Sequence, residues 1–250
     1  MIKFDFNGKR ILVTGASSGI GYEICKALHE SGAEVLMVAK NVEKLMAASD
    51  CLGIKNRYPI DLGDVSQIAT GIENIIKESG PLDGFVHSAG IGTVRPIKMC
   101  SYEYMKQMMD INFFSFIEIV RTITKKKNFK EGMSIVGISS VAALEGNKSK
   151  TGYCASKAAM NGAIRCLAKE LSPKRIRVNA VLPGITKTAI YEQIVDNGAD
   201  SEDLKAILQR QYLGICNPEN VASTVAFLLS EESNFITGAE IAVDSGRLSS

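Results

Sequence analysis

The sequence predicts an α/β fold: an open, doubly wound sheet of mostly parallel strands with helices on both faces. Three observations predict it. Short β-branched and aliphatic runs alternate with segments of helical period. The first run, Arg10 to Thr14, passes through a glycine-rich turn straight into a helical pattern. A later run, Ser134 to Ser139, ends in hydroxyls ahead of a helix whose surface is unusually small. In an open α/β sheet that carboxyl edge is where ligands bind.

Residues 10–14 read as a buried strand stopped by glycine. Gly15-Ala-Ser17-Ser18-Gly19-Ile20-Gly21 follows, then apolar positions at Ile24, Ala27 and Leu28 of a helix closed by Gly32. Such a turn lets backbone approach a ligand, and the helix amino terminus offers free N–H groups to a pyrophosphate. Residues 34–39 are a second strand. Its end would meet an adenosine ribose, where a carboxylate grips the 2′-hydroxyl and repels a 2′-phosphate. This chain carries Lys40 and Asn41 there, so NADP is expected over NAD. Residues 57–61 look like a third strand. Asp61 at its exit can bond an adenine amino group or take part in capping the helix at 65–78, as Asp64 and Ser66 also can. A fourth strand, 83–87, ends in Ser88, Ala89 and Gly90, small enough for backbone to lie along a cofactor. His87 reads as a structural residue and His29 as a polar helix position.

Residues 101–126 carry one long helical pattern with a methionine-rich apolar stripe, expected to be core or subunit contact. Asn112 interrupts it, as either a satisfied core amide or a relay. The helix after Ser140 holds Tyr153 and Lys157, four apart and so on one face. A cation beside a phenol lowers its pKa from about 10, which would make Tyr153 a proton donor and acceptor for a carbonyl. The same Tyr-x-x-x-Lys spacing at Tyr22–Lys26 and Tyr102–Lys106 reads as surface pairs; at 153–157 the intervening residues are all small. Residues 176–182 form another strand, stopped by Pro183-Gly184 and followed by Thr186 and Thr188. Residues 189–214 are more polar. They are either a flap over the pocket, spanning about 186–214, or an ordinary helical excursion. A helix from Asn217 to about 229 and a strand at 238–244 close the chain.

The totals bound the function. The 250 residues suit a single α/β domain, 1–250, and 46% hydrophobic residues supply a core. A net charge of +2 implies no pull toward nucleic acid or membrane. Six scattered cysteines and two histidines offer no metal-ligand spacing, so no metal is expected. Those thiols, with no signal-length apolar run, point to the cytoplasm.

From about Gly8 to Gly246 these motifs resemble the short-chain dehydrogenase/reductase family, in particular its 3-oxoacyl-[acyl-carrier-protein] reductase-like members. Thr14 to Gly21 matches the family's Thr-Gly-x-x-x-Gly-x-Gly loop, and Ser88-Ala89-Gly90 its Asn-Ala-Gly motif with serine for asparagine. Asn112, Ser140, Tyr153 and Lys157 fall where the family carries its catalytic four. The resemblance implies a Rossmann-type sheet of seven strands and hydride transfer between NADP(H) and a ketone or secondary alcohol. Tyr153 would be the proton donor, Ser140 would bond the substrate oxygen, and Asn112 would anchor a water. Lys157 would hold the nicotinamide ribose and lower the tyrosine pKa. It implies cofactor contacts along Gly15, Ser17 to Gly21, Lys40, Asn41, Asp61, Leu62 and Ser88 to Gly90, and at Tyr153 and Lys157. Beyond the Pro183-Gly184 motif, Ile185 and Thr188 would hold the nicotinamide carboxamide, beside Thr186. The implied substrate is a 3-oxoacyl thioester, free or on a carrier protein; a sugar or polyol is the alternative, and a cofactor-binding sensor without turnover a third. A homodimer or homotetramer is expected. Ser18, where many NADP-using relatives carry a basic residue, leaves that preference to Lys40.

Overall fold

A computed structural model describes residues 4–188, 191 and 202–249. Its strands are β1 (Arg10–Thr14), β2 (Glu34–Ala39), β3 (Arg57–Pro59), β4 (Leu82–His87), β5 (Phe129–Ile138), β6 (Arg177–Pro183) and β7 (Glu240–Val243). They form one parallel sheet in the order β3-β2-β1-β4-β5-β6-β7. The chain winds outward from β1 to β3, returns, and winds the other way from β4. The strand order therefore reverses between β1 and β4, and a crevice opens at their carboxyl ends.

Alternation along the strands sorts the core into two layers. Ile11, Val13, Val35 and Met37 face α1 (Gly19–Glu30), α2 (Val42–Leu52) and α8 (Pro218–Leu229). Leu12, Leu36 and Val38 face α3 (Val65–Ser79), α5 (Ser115–Ile123) and α6 (Thr151–Leu171). Both faces of the sheet are covered, which is why the strands read as unbroken apolar runs. The short helix α7 (Glu202–Gln209) precedes α8.

The long helix expected at 101–126 is instead two helices. α4 (Tyr102–Met109) and α5 are joined by a single π turn, Asp110–Phe114. The widened turn points Asn112 inward, where it is completely buried. Sequence periodicity misses this because one extra residue shifts the stripe by less than the width of an apolar face. The expected flap falls partly on residues 189–190 and 192–201, which lie outside the described residues.

Candidate active site

At the switch point the turn after β1 packs directly on the end of β4. A Cβ on Gly15 would sit 2.8 Å from the Ala89 backbone, and one on Gly21 would sit 2.2 Å from the Gly15 carbonyl oxygen. Only glycine permits both approaches. Thr14 ties the two strands, its hydroxyl 3.1 Å from His87 Nδ1 and accepting from the Ala89 N–H at 3.3 Å. Burial pushes the His87 imidazole down to about 3, aided by the nearby Lys157 charge. His87 is thus neutral and structural. Ser18 stands at the N-cap of α1, but its side chain makes no cap hydrogen bond. The first-turn N–H groups are left facing the crevice, which suits a pyrophosphate.

Beyond β2, Lys40 forms an ion pair with Asp61, Nζ to Oδ2 at 2.8 Å. That contact and the Gly63 N–H hold the Asp61 carboxyl below its ordinary value. The structure thus joins two residues that the sequence had given to a phosphate and an adenine. Asn41 caps α2, accepting from the Lys44 N–H at 2.8 Å. The Leu62 side chain is buried in the core, which leaves only its backbone for the expected cofactor contact. A cleft of about 420 Å³ beside the glycine turn is lined by Ser17, Ser18, Tyr22 and Lys44. Lys44 was not foreseen; it sits one turn into α2 from Asn41, a spacing that could have flagged it.

The second half of the site rises from β5 and α6. Ser140 follows β5 and caps the short 3₁₀ turn Val141–Ala143, accepting from the Ala142 N–H. Its hydroxyl also stands near enough to the Tyr153 phenol to draw that group's pKa down. Burial outweighs that effect and raises Tyr153 above its ordinary value. Lys157 is 4% exposed and donates to the Ile138 carbonyl at 2.8 Å. Its Nζ lies 5.9 Å from the Tyr153 ring centroid. Burial pushes the lysine down to about 8. The expected lowering of the tyrosine by the lysine is therefore absent in this state: at this separation desolvation is the larger effect. Among the described residues, the Ile138 carbonyl is the only hydrogen-bond partner of the Lys157 ammonium. An ammonium has three donors, so two remain for a ligand such as a ribose diol.

Residues 90–92 close the site. A Cβ on Gly90 would lie 3.3 Å from both Lys157 Nζ and Asn112 Oδ1, and one on Gly92 would lie 3.3 Å from the Tyr153 ring. Asn112 accepts from the Ile91 N–H at 2.8 Å and donates to the Ile91 carbonyl and the Ser156 hydroxyl, both at 2.9 Å. It is a satisfied amide that fixes the strip along which Tyr153 and Lys157 stand. Thr188 lies over the glycine turn, its methyl 3.4 Å from a Cβ built on Gly19. The structure thus gathers Asn112, Ser140, Tyr153, Lys157, Gly90 and the glycine turn at one edge. Lys40 and Asp61 stand at the ends of β2 and β3, farther along it. The Arg95 guanidinium stacks on the Tyr104 ring at 4.2 Å. At the other two Tyr-x-x-x-Lys spacings the side chains take other partners: Tyr22 meets Cys51, Lys26 meets Glu23 and Lys106 meets Asp110.

Comparison with known proteins places this geometry. A family model described as Enoyl-(Acyl carrier protein) reductase matches residues 15–247. The chain is 36% identical over 248 residues to L-xylulose reductase of Caenorhabditis elegans, covering 97% of each protein. It is 35% identical over 246 residues to the 3-oxoacyl-[acyl-carrier-protein] reductase FabG of Rickettsia prowazekii, covering 98% of each. The solved structure of a blue fluorescent protein from a metagenomic library, in complex with NADPH, has a TM-score of 0.88 and 30% identity, covering 96% of this chain and 98% of that one.

Proposed function

Because this chain belongs to the short-chain dehydrogenase/reductase family, whose members are oxidoreductases using a nicotinamide cofactor on carbonyl or CH–OH groups, we propose that it is an NADP(H)-preferring reductase of ketones, with a 3-oxoacyl thioester as its substrate class. The observation that carries this reading is a buried ammonium with a single carbonyl partner, 5.9 Å from the Tyr153 ring and bordered by Gly90 and Gly92, at the switch-point crevice.

The bound nicotinamide supplies the hydride for reduction and takes it up in oxidation. Tyr153 holds the proton. Its raised pKa keeps the phenol protonated at neutral pH, the state needed to give a proton to a carbonyl oxygen as that oxygen gains charge. Ser140 donates a second hydrogen bond to the same oxygen, so charge developing there meets two fixed dipoles. Lys157 uses its two remaining donors on the nicotinamide ribose and brings a positive charge that lowers the cost of a phenolate once Tyr153 has given its proton. Asn112 keeps residues 90–92 in place. At the far end the absence of a carboxylate after β2 and the presence of Lys40 support NADP. Lys40 exchanges the exposed Asp61 for a 2′-phosphate, and Lys44 stands at the neighbouring cleft.

A ketose or polyol is the second reading, favoured by the 36% identity to L-xylulose reductase. NADPH oxidation against a panel holding both a 3-oxoacyl thioester and a ketopentose separates the two. Turnover of the thioester with none of the ketopentose supports the first reading; the reverse supports the second. Fluorescence titration with NADPH and NADH tests the cofactor. A preference for NADPH that weakens in Lys40→Ala is expected, and a preference for NADH that Lys40→Ala leaves intact overturns it.

A further inference from the structure

A second cavity lies at the amino ends of the central strands, across the sheet from the crevice. It encloses about 310 Å³, and its lining includes Lys9 just ahead of β1, Asp83 in β4, Glu131 in β5, Arg177 at the start of β6 and Glu231 after α8. That volume is at the lower end of small-molecule sites. Arg177 is 7% exposed. Its two terminal nitrogens donate to the backbone carbonyls of Ile236 at 3.3 Å and Ser230 at 3.1 Å. Its Nε is buried with no partner. A guanidinium has five donors, so these two bonds leave three unused. Among the described residues no carboxylate lies within ion-pair distance of it, and its burial lowers the guanidinium's pKa.

The carboxylates around the cavity are otherwise engaged. Asp83 meets Lys130 at 2.8 Å, Glu131 meets Arg175 at 3.4 Å and Glu231 meets Lys9 at 3.2 Å. Asp5, also on the lining, accepts from the Asn7 backbone and side chain. A buried cation held by neutral acceptors alone is costly, and an anion entering the cavity offsets that cost. The four acidic side chains on the lining set how much charge the anion carries, since they repel a doubly charged phosphate more than a singly charged carboxylate. The planar guanidinium also matches a flat carboxylate. We propose that this cavity binds a small monocarboxylate, with Arg177 as its counter-ion. The site stands whether or not the crevice across the sheet binds a nucleotide. Its occupant ties the starts of β4, β5 and β6 to the turn after α8, and so stabilises the fold without taking part in hydride transfer.

The test is calorimetric titration of the full chain with sodium acetate, sodium butyrate and inorganic phosphate, at an ionic strength held constant with sodium chloride. Saturable binding of at least one of the two carboxylates is expected, with phosphate weaker. No saturable binding of either carboxylate overturns the site, and phosphate binding as tightly overturns the carboxylate class. Arg177→Gln is expected to weaken carboxylate binding about 10-fold or more, the worth of a hydrogen bond to a charged group. Arg175→Gln, which changes an exposed ion pair beside the cavity, is expected to leave it unchanged. Binding that survives Arg177→Gln in full overturns the proposal. Because loss of a buried arginine also risks the fold, a second measurement uses the wild-type chain labelled with ¹⁵N-arginine. Arg177 and Arg247 have buried Nε groups, so their Nε–H signals exchange slowly, and Arg247→Lys identifies the second signal by its loss. The Arg177 signal is expected to shift saturably with the carboxylate while that of Arg247 holds still. An Arg177 signal that does not move, or a shift confined to Arg247, overturns the proposal.

Discussion

Lys157 shows how one side chain serves two opposed demands. Its ammonium is buried with a single carbonyl partner, so burial lowers its pKa to about 8 from an ordinary value of 10.5. The unfolded chain then holds the lysine proton more tightly than the folded one. Between about pH 8 and 10.5 the wild type therefore gains stability as pH rises, and below pH 8 the penalty for the buried charge is present in full. Lys157→Met removes this linkage. Urea midpoints at pH 7, 9 and 10 are expected to move in the wild type's favour relative to the variant, by up to about 1.4 kcal/mol per pH unit. A difference independent of pH would show that the amine is not desolvated. Tyr153 is the complementary case: its phenol is kept protonated by the same burial. Tyr153→Phe is expected to lower kcat/KM by about 10²–10⁴-fold while NADPH binding persists. Turnover surviving the change would assign the proton to another group.

Among the elements, the turn between β1 and α1 and the helix α6 use glycine for different reasons. Gly21 is pressed against the Gly15 carbonyl, whereas Gly162, on α6, has nothing within 4 Å of a built Cβ. Gly21→Ala is expected to cost roughly 1–3 kcal/mol through overpacking, and Gly162→Ala to stabilise by about 0.5–1 kcal/mol by stiffening the unfolded chain and favouring the helix. Chemical denaturation of the two variants checks the opposite signs. The Tyr153–Lys157 spacing and the glycine turn could be read from the chain because their geometry is local. The π turn at Asp110–Phe114 could not, since it arises where Asn112 finds its partners on residue 91, far away in sequence.

For the molecule as a whole, the cofactor reading predicts a stability effect that does not depend on the substrate. NADPH at about 100 times its Kd is expected to stabilise the fold by about 2.7 kcal/mol, roughly 5–10 °C in Tm for a chain of this size. Tyr153→Phe is expected to keep most of the shift, because the glycine turn and Lys157 still hold the cofactor without the phenol. A thermal melt with and without NADPH measures both. No shift in either protein would place the glycine turn and its open N–H groups among structural features only.

The sequence by itself determined the α/β class, the strands, most helices and the Tyr153–Lys157 pair on one helix face. Each of these follows from patterns within a few residues or from their order along a doubly wound chain, whereas Asn112 and Ser140 joined that pair only through the family resemblance. The tertiary structure alone decided the electrostatic state of the site. It set the lysine at about 8 and raised the tyrosine through burial, paired Lys40 with Asp61, and put the Gln211 carboxamide onto Ile185. Those outcomes depend on which groups lose water and which distant residues fill the space, and neither is written in the spacing of residues along the chain.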